Sequence, residues 1–181
     1  MFTKIAGTAA IAAAALTLSL PTTTAHAQDI GTKDPADVKH GVDLRLVQVE
    51  NTDSFVRVTL KHTNLRKDPK SGAGGAVYLD TDPDDAGPEL VFVGGYFQGT
   101  DYQLLETEGF GPGKWGDQVD GFWRMRLNYK TEKTVMRMSR AAVGADDLRV
   151  AVKVAGQRSD GTTVVDWLRK PKSFTPWVTR G

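Results

Sequence analysis

The sequence predicts an all-β protein, an antiparallel β-sandwich of eight to ten short strands with at most one short helical turn. Three observations carry this. Apolar and polar residues alternate with period 2 in one window after another, as where Val56, Val58 and Leu60 face one way and Arg57, Thr59 and Lys61 the other. Clusters of Gly, Pro, Asn and Asp interrupt these windows at a spacing of roughly 8 to 12 residues, which is the rhythm of a sandwich or barrel. No window long enough for an amphipathic helix shows a 3.6-residue period. The layout is jelly-roll-like or immunoglobulin-like.

The chain has 181 residues, 23 of them basic and 22 acidic, and no cysteine. Residues 1–27 read as a cleaved export signal: Lys4, an Ala/Leu/Ile-rich run over 5–20, then Ala25-His26-Ala27 with small residues at the two positions that signal peptidase reads. The run is shorter than the roughly 20 residues that a membrane span needs. The expectation is a secreted, extracellular product beginning at Gln28, with no membrane attachment after cleavage. Without the signal 154 residues remain, and because Lys4 is the only charged residue removed, 22 basic side chains balance 22 acidic ones. A neutral chain without a Lys/Arg cluster gives no reason to expect nucleic acid as a partner. A chain of this size buries roughly 68 to 70% of its unfolded surface, enough for one core. With no disulfide available, packing, hydrogen bonds and, where needed, a metal must hold an exported domain together.

In chain order, residues 28–41 are polar with a Pro and two Gly, and read as a leader outside the sandwich domain of 42–181. A strand over 42–49 places Val42, Leu44 and Leu46 on one face, and Asn51-Thr52-Asp53-Ser54 turns it into the next strand, 55–62. Residues 64–75 are a basic, glycine-rich connection. Strands over 76–80 and 89–97 flank an acidic turn, and the pair Gly94-Gly95 marks a bulge or a close backbone approach. A short strand over 102–107 precedes a glycine-rich stretch, 108–118, that reads as irregular. Strands follow over 119–128, 134–139, 148–155, 162–168 and 174–178. Ser139 and Gly144 bracket the one helical turn as N-cap and stop. The predicted core is Val56, Val58, Leu60, Leu90, Phe92, Trp123, Met125, Leu127, Val150, Val152 and Val154.

The acidic turn is the first candidate for chemistry. Asp80, Asp82 and Asp84 fall at positions 1, 3 and 5 of an oxygen-rich loop, with Asp85 and Glu89 close behind, and hard cations such as calcium take clustered oxygens. The loop is not an EF-hand, which needs Gly at position 6 and Glu at 12 where this chain has Asp85 and Val91. A looser calcium site on the sandwich rim and a solvated acidic bend both fit. The run YLDTDPDDAGPE resembles the strand and loop of secreted sandwich modules similar to family 9 carbohydrate-binding modules and DOMON-type domains. The resemblance covers about thirty residues. It implies a sandwich that binds sugar or haem, and no motif here fixes a matching tryptophan or a haem ligand.

Trp115, beside Lys114 and Asp117 in the glycine-rich stretch, is the best candidate for a ligand-facing aromatic, since a flat apolar ring with polar neighbours can stack on a sugar face. Tyr96 and Tyr102 flank the Gly94-Gly95 bend and join it as ligand-binding candidates. Folding back over the core is the plainer fate for each. His62 at a strand end and His40 in the leader read as solvated. G-x-S-x-G, H-E-x-x-H and P-loop motifs are missing, and no catalytic residue is assigned. The leading expectation is a non-catalytic binding module for an extracellular polysaccharide, with calcium as its candidate cofactor. Two readings stand beside it: a small secreted hydrolase using carboxylates, and an envelope module that binds another protein through a sheet edge.

Overall fold

Eleven strands build two antiparallel sheets in the computed structural model, which describes residues 28–181. The export signal expected over 1–27 lies outside the described residues. In chain order the strands are β1 (Gln28–Lys33), β2 (Leu44–Asn51), β3 (Phe55–His62), β4 (Gly74–Asp80), β5 (Leu90–Gly95), β6 (Tyr102–Thr107), β7 (Trp115–Gln118), β8 (Trp123–Asn128), β9 (Lys133–Ser139), β10 (Arg149–Gln157) and β11 (Thr163–Trp167). One sheet runs β1-β2-β3-β9-β8 and the other β11-β10-β4-β5-β6-β7. A four-residue helix, α1 (Arg140–Val143), sits between β9 and β10; the Ser139 side chain accepts from Ala142 N–H, and Gly144 closes the turn in the left-handed region at φ 75°. That is the predicted cap and stop.

The inner faces follow the period-2 rule. Val56, Val58 and Leu60 of β3, Met136 and Met138 of β9, and Met125 of β8 meet Val77, Leu79, Phe92, Leu104, Val150, Val152 and Val154 across the gap. Nine of the eleven predicted core residues are buried; Trp123 and Leu127 lie on the edge strand β8 and are half-buried against the same cluster. In β2 the expected alternation of Val42, Leu44 and Leu46 breaks, because a bulge between Leu44 and Leu46 turns Val47 and Val49 inward and leaves Leu46 half-exposed. One inserted residue flips the face of all that follow.

Two strands appear where none is expected and one expected strand is missing. The leader contributes β1, an edge strand registered on β2 from Gln28↔Asn51 to Lys33↔Leu46. The glycine-rich stretch contributes the short edge strand β7. Both pair on one side only, so little apolar signal is needed. Residues 174–178 run along the edge of β10 instead, joined by the isolated bridge Leu148↔Val178 and by the Thr175 N–H, which donates to the Val150 carbonyl at 2.9 Å. There Phe174 and Trp167 pack with Tyr78, Phe110 and Trp115 in a second cluster on the outer face of the six-stranded sheet.

The glycine pair at the end of β5 is a close approach, as expected. Gly94 and Gly95 register against Gly75 and Gly74 of β4. A Cβ on Gly75 would lie 2.3 Å from the Tyr96 hydroxyl, and one on Gly94 would lie 2.8 Å from Met125 Cε. The space that the glycines leave is filled by Tyr96, which is fully buried between the sheets.

Both histidines are buried, against the expectation of solvated tips. His62 continues the inward row 56, 58, 60 by one more step, bonds Thr134 Oγ1 at 3.1 Å, and meets the Tyr96 ring edge-on at 5.3 Å. His40 accepts from Val42 N–H at 3.2 Å on Nδ1, and its Nε2 lies 2.9 Å from the carbonyl of Gln157, to which it donates. The imidazole lies over Gly156, where a Cβ would meet it at 2.5 Å.

Burial lowers the His62 pKa from 6.5 to about 4. The unfolded chain therefore binds a proton that the folded chain refuses, and stability present above pH 6.5 is lost as the pH falls toward 4. Asp166, pushed up to about 6, acts in the opposite sense over part of this window, so the His62 contribution is isolated against a variant. Between pH 7 and pH 4, the wild type should lose about 3 kcal/mol more than His62→Gln in urea unfolding. Parallel pH profiles for the two proteins would show that His62 does not carry this dependence.

Candidate functional site

A concavity that contains predicted residues lies at the β5–β7 edge of the six-stranded sheet. It is a cleft of about 520 Å³ bordered by Glu89, Glu106, Glu108, Lys114 and Trp115, with Leu90, Thr107, Gly113 and Gly116 completing the wall. Local chemistry fixes its shape. Thr107 ends β6 and its hydroxyl bonds the carbonyls of Gly109 at 2.7 Å and Lys114 at 3.1 Å, while Glu108 N–H donates to the Lys114 carbonyl at 3.0 Å. The chain from 108 to 114 is thereby closed into a loop, with Pro112–Lys114 forming a 3-10 turn. Trp115 emerges from it opposite Thr107. Its indole is half-buried, with one part against the outer aromatic cluster and another on the cleft wall.

The sequence therefore places two of its candidates, Trp115 and Glu89, in one cleft. The other aromatic candidates are elsewhere. Tyr96 is fully enclosed and burial pushes its phenol pKa up, so no ligand reaches it: the bend at Gly94-Gly95 turns its ring inward where the sequence suggested the surface. Tyr102 faces the inter-sheet side, stacked on Phe92 at 5.9 Å and edge-on to Trp123 at 5.8 Å. It is a wall of the core.

The carboxylates of the acidic turn are bonded mostly to their own neighbourhood. Asp80 ends β4 fully buried, and its Oδ2 accepts from Arg149 Nε at 2.8 Å and Nη2 at 2.6 Å. The Arg149 guanidinium is in turn held over Phe174 and Trp177 at 4.8 and 4.7 Å from their ring centres. Asp82 accepts from Asp84 N–H at 2.9 Å, and Asp85 from Ala86 N–H at 2.7 Å, as short polar side chains do in turns. Glu89 Oε2 takes both the N–H and the hydroxyl of Thr81, at 2.6 and 3.0 Å. Among the described residues, Asp80, Asp82, Asp84, Asp85 and Glu89 do not bring three oxygens within 4.8 Å of one another. Density of carboxylates along the chain is not convergence of their oxygens in space.

A feature that sequence reasoning missed is a row of arginines on the outer face of the five-stranded sheet. Arg57, Arg137 and Arg124 are direct cross-strand neighbours on β3, β9 and β8. Phe55 lies under two of them, 4.7 Å from Arg57 Cζ and 4.2 Å from Arg137 Cζ, and Phe122 beside them is 55% exposed. Arg57 pairs with Glu50; Arg124 and Arg137 are exposed on a shallow groove with Arg126. The outward positions of three alternating strands contain the signal, and only the strand order, which brings β9 between β3 and β8, assembles it.

No family model matches the sequence, and no curated protein matches it.

The Asp80–Arg149 pair should behave as structure and the turn beyond it as solvent-facing bend. Asp80→Ala should cost about 3 kcal/mol in chemical denaturation, because it removes a fully buried carboxylate that pairs with the guanidinium lying over two aromatic rings. Asp82→Ala and Asp84→Ala should each stay within about 0.5 kcal/mol of wild type. Equal losses at all three positions would mean that the turn acts as a unit.

Proposed function

We propose that the protein is a secreted, non-catalytic β-sandwich module that binds carbohydrate at the Trp115 cleft. The observation that carries this is that Trp115, Glu89, Glu106, Glu108 and Lys114 line a single cleft. A sugar ring offers an apolar face for stacking and hydroxyls for acceptors and donors, and the cleft supplies all three. Glu106 and Glu108 are exposed at its mouth, and Glu89 is committed to Thr81, an arrangement that suits hydrogen bonding to hydroxyls better than acid–base catalysis. The resemblance of the 78–89 segment to family 9 carbohydrate-binding modules supports the same class of ligand, and the export signal supports a polysaccharide outside the cell.

The arginine row favours a second reading, a polymer bearing carboxylate or other anionic groups laid across β3, β9 and β8. Three like charges directly opposite one another destabilise a sheet, and an anionic partner removes that cost. Guanidinium groups also recognise carboxylates through paired hydrogen bonds.

One array of immobilised neutral and acidic glycans, probed with the full chain, separates these readings. Binding to neutral glycans that Trp115→Ala weakens at least about tenfold, a loss of about 1.4 kcal/mol, is the expected result for the cleft. Binding confined to acidic glycans, weakened by salt and lost in the double variant Arg124→Gln, Arg137→Gln while Trp115→Ala retains it, would replace the cleft by the arginine row. Silence across the array in both classes would remove carbohydrate as the ligand.

A further inference from the structure

The described residues hold one gathering of carboxylates, and it is far from the acidic turn. Asp34 follows β1, Asp37 lies three residues on, and Asp166 belongs to β11; each offers an oxygen, and these oxygens all lie within 4.8 Å of one another. Asp34 and Asp166 are buried, at 5% and 4% exposure, and Asp37 is exposed. Part of the set is already spent on the fold. Asp34 Oδ1 accepts from Arg169 N–H at 2.5 Å, and Asp166 Oδ2 accepts from Leu44 N–H at 2.8 Å. Asp34 Oδ2 is different: it is buried and has no hydrogen-bond partner. A buried carboxylate oxygen without a donor is costly, and it points to a ligand.

The neighbours add negative charge. Asp43, 2% exposed, accepts on Oδ1 from the N–H groups of Asp37 and Val38 at 3.2 and 3.0 Å, which bends the 37–43 segment around the cluster. Arg45 lies 3.5 Å from Asp43 Oδ2 and is the cation that bears on Asp34. Burial, and after it the charges of Asp34, Asp37 and Asp43, hold the Asp166 carboxyl well above the usual range. Three carboxylates with no histidine or thiolate among them form a hard, oxygen-only donor set. An adjoining open cleft, bordered by Asp37 and Asp43, gives an entry path.

We propose that Asp34, Asp37 and Asp166 bind a divalent cation of the calcium class, which fastens the segment after β1 to the edge strand β11 and so ties the two sheets together. Mutual distances under 4.8 Å stay within about twice calcium's ligand distance of 2.3 to 2.6 Å, the spacing that a shared ion needs. Backbone carbonyls and water complete the six to eight ligands that calcium takes, and three carboxylates favour it over magnesium, which prefers fewer protein ligands and more water. The site is independent of the Trp115 cleft, which borders β5 to β7 at the other edge of the six-stranded sheet.

The test uses the full chain, stripped with chelator and verified metal-free by elemental analysis, then melted across free calcium from micromolar to ten millimolar at constant ionic strength. The melting temperature should rise by several degrees, linearly in the logarithm of calcium above the dissociation constant, and less with magnesium. Asp34→Asn and Asp166→Asn should abolish the rise. Should either fail to fold, the exposed Asp37→Asn, which removes no buried contact, should shift the calcium midpoint at least tenfold upward in isothermal titration. The double variant Asp82→Asn, Asp84→Asn should respond like the wild type. A wild-type melt indifferent to calcium, a response that survives all three cluster substitutions, or one lost only in the Asp82/Asp84 variant would each overturn the proposal.

Discussion

The two sheets share no strand and no covalent cross-link, so everything in this protein depends on how the apolar layer between them is sealed at its ends. The layer itself is well populated, with valine and leucine rows from both sheets and methionines from β8 and β9. Its ends are closed by buried polar side chains whose hydrogen bonds are directed at backbone. Asn51 is the clearest case. Its amide donates to the carbonyls of Asp146 and Val178, each at 2.8 Å, and accepts from Arg140 Nη1 at 2.7 Å, which joins the end of β2 to the segment after α1 and to the C-terminal strap. His40 does the same for the segment before β2, and Asp166 reaches from β11 to Leu44 N–H at the start of β2. Each bond replaces water at a backbone group that the fold has desolvated, which is why such residues tolerate little change.

Period-2 alternation made the sandwich legible because half-buried strands must expose every second side chain. It failed in three places for three reasons. In β2 an inserted residue changed the phase, and a bulge leaves no mark in a run as apolar as Leu44 to Val49. In β1 and β7 one-sided pairing at a sheet edge needs hydrogen bonds more than burial, so QDIGTK and WGDQ look like loops. At the histidines polarity outweighed position: His62 sits two residues beyond Leu60 on the same inward row, and reading the row to its end would have buried it.

The candidate site was legible to the extent that it is local. Trp115 and Glu89 could be singled out by composition, and the closure of the 108–114 loop on Thr107 brought them to one cleft. Tyr96 could not be placed, because whether a ring after two glycines turns in or out is decided by the cavity that the facing glycines of β4 leave. The same limit explains the carboxylates. Five of them within ten positions drew attention to the 80–89 turn, yet four are claimed by a nearby N–H, a hydroxyl or Arg149, and Asp84 is exposed. The set that does converge joins Asp34 and Asp37 to Asp166, more than a hundred residues away, and only the packing of one sheet on the other brings Asp166 of β11 to Leu44 N–H at the start of β2.

The positions of the two sites set what each can do. The six-stranded sheet runs β11-β10-β4-β5-β6-β7, so the aspartate cluster and the Trp115 cleft occupy opposite edges with β10 and β4 between them. A cation bound by Asp34, Asp37 and Asp166 therefore cannot touch a ligand in the cleft, and its effect on binding must pass through stability. Ion binding to the folded state alone shifts the folding equilibrium without altering the affinity of molecules already folded. The cleft, by contrast, is built from a loop closed by Thr107 and from the end of β6, both anchored on the outer aromatic cluster rather than on the inter-sheet layer. The two faces of one sheet thus separate the duties: the inner face and its polar seals hold the sandwich closed, and the outer aromatic cluster holds the wall of the Trp115 cleft.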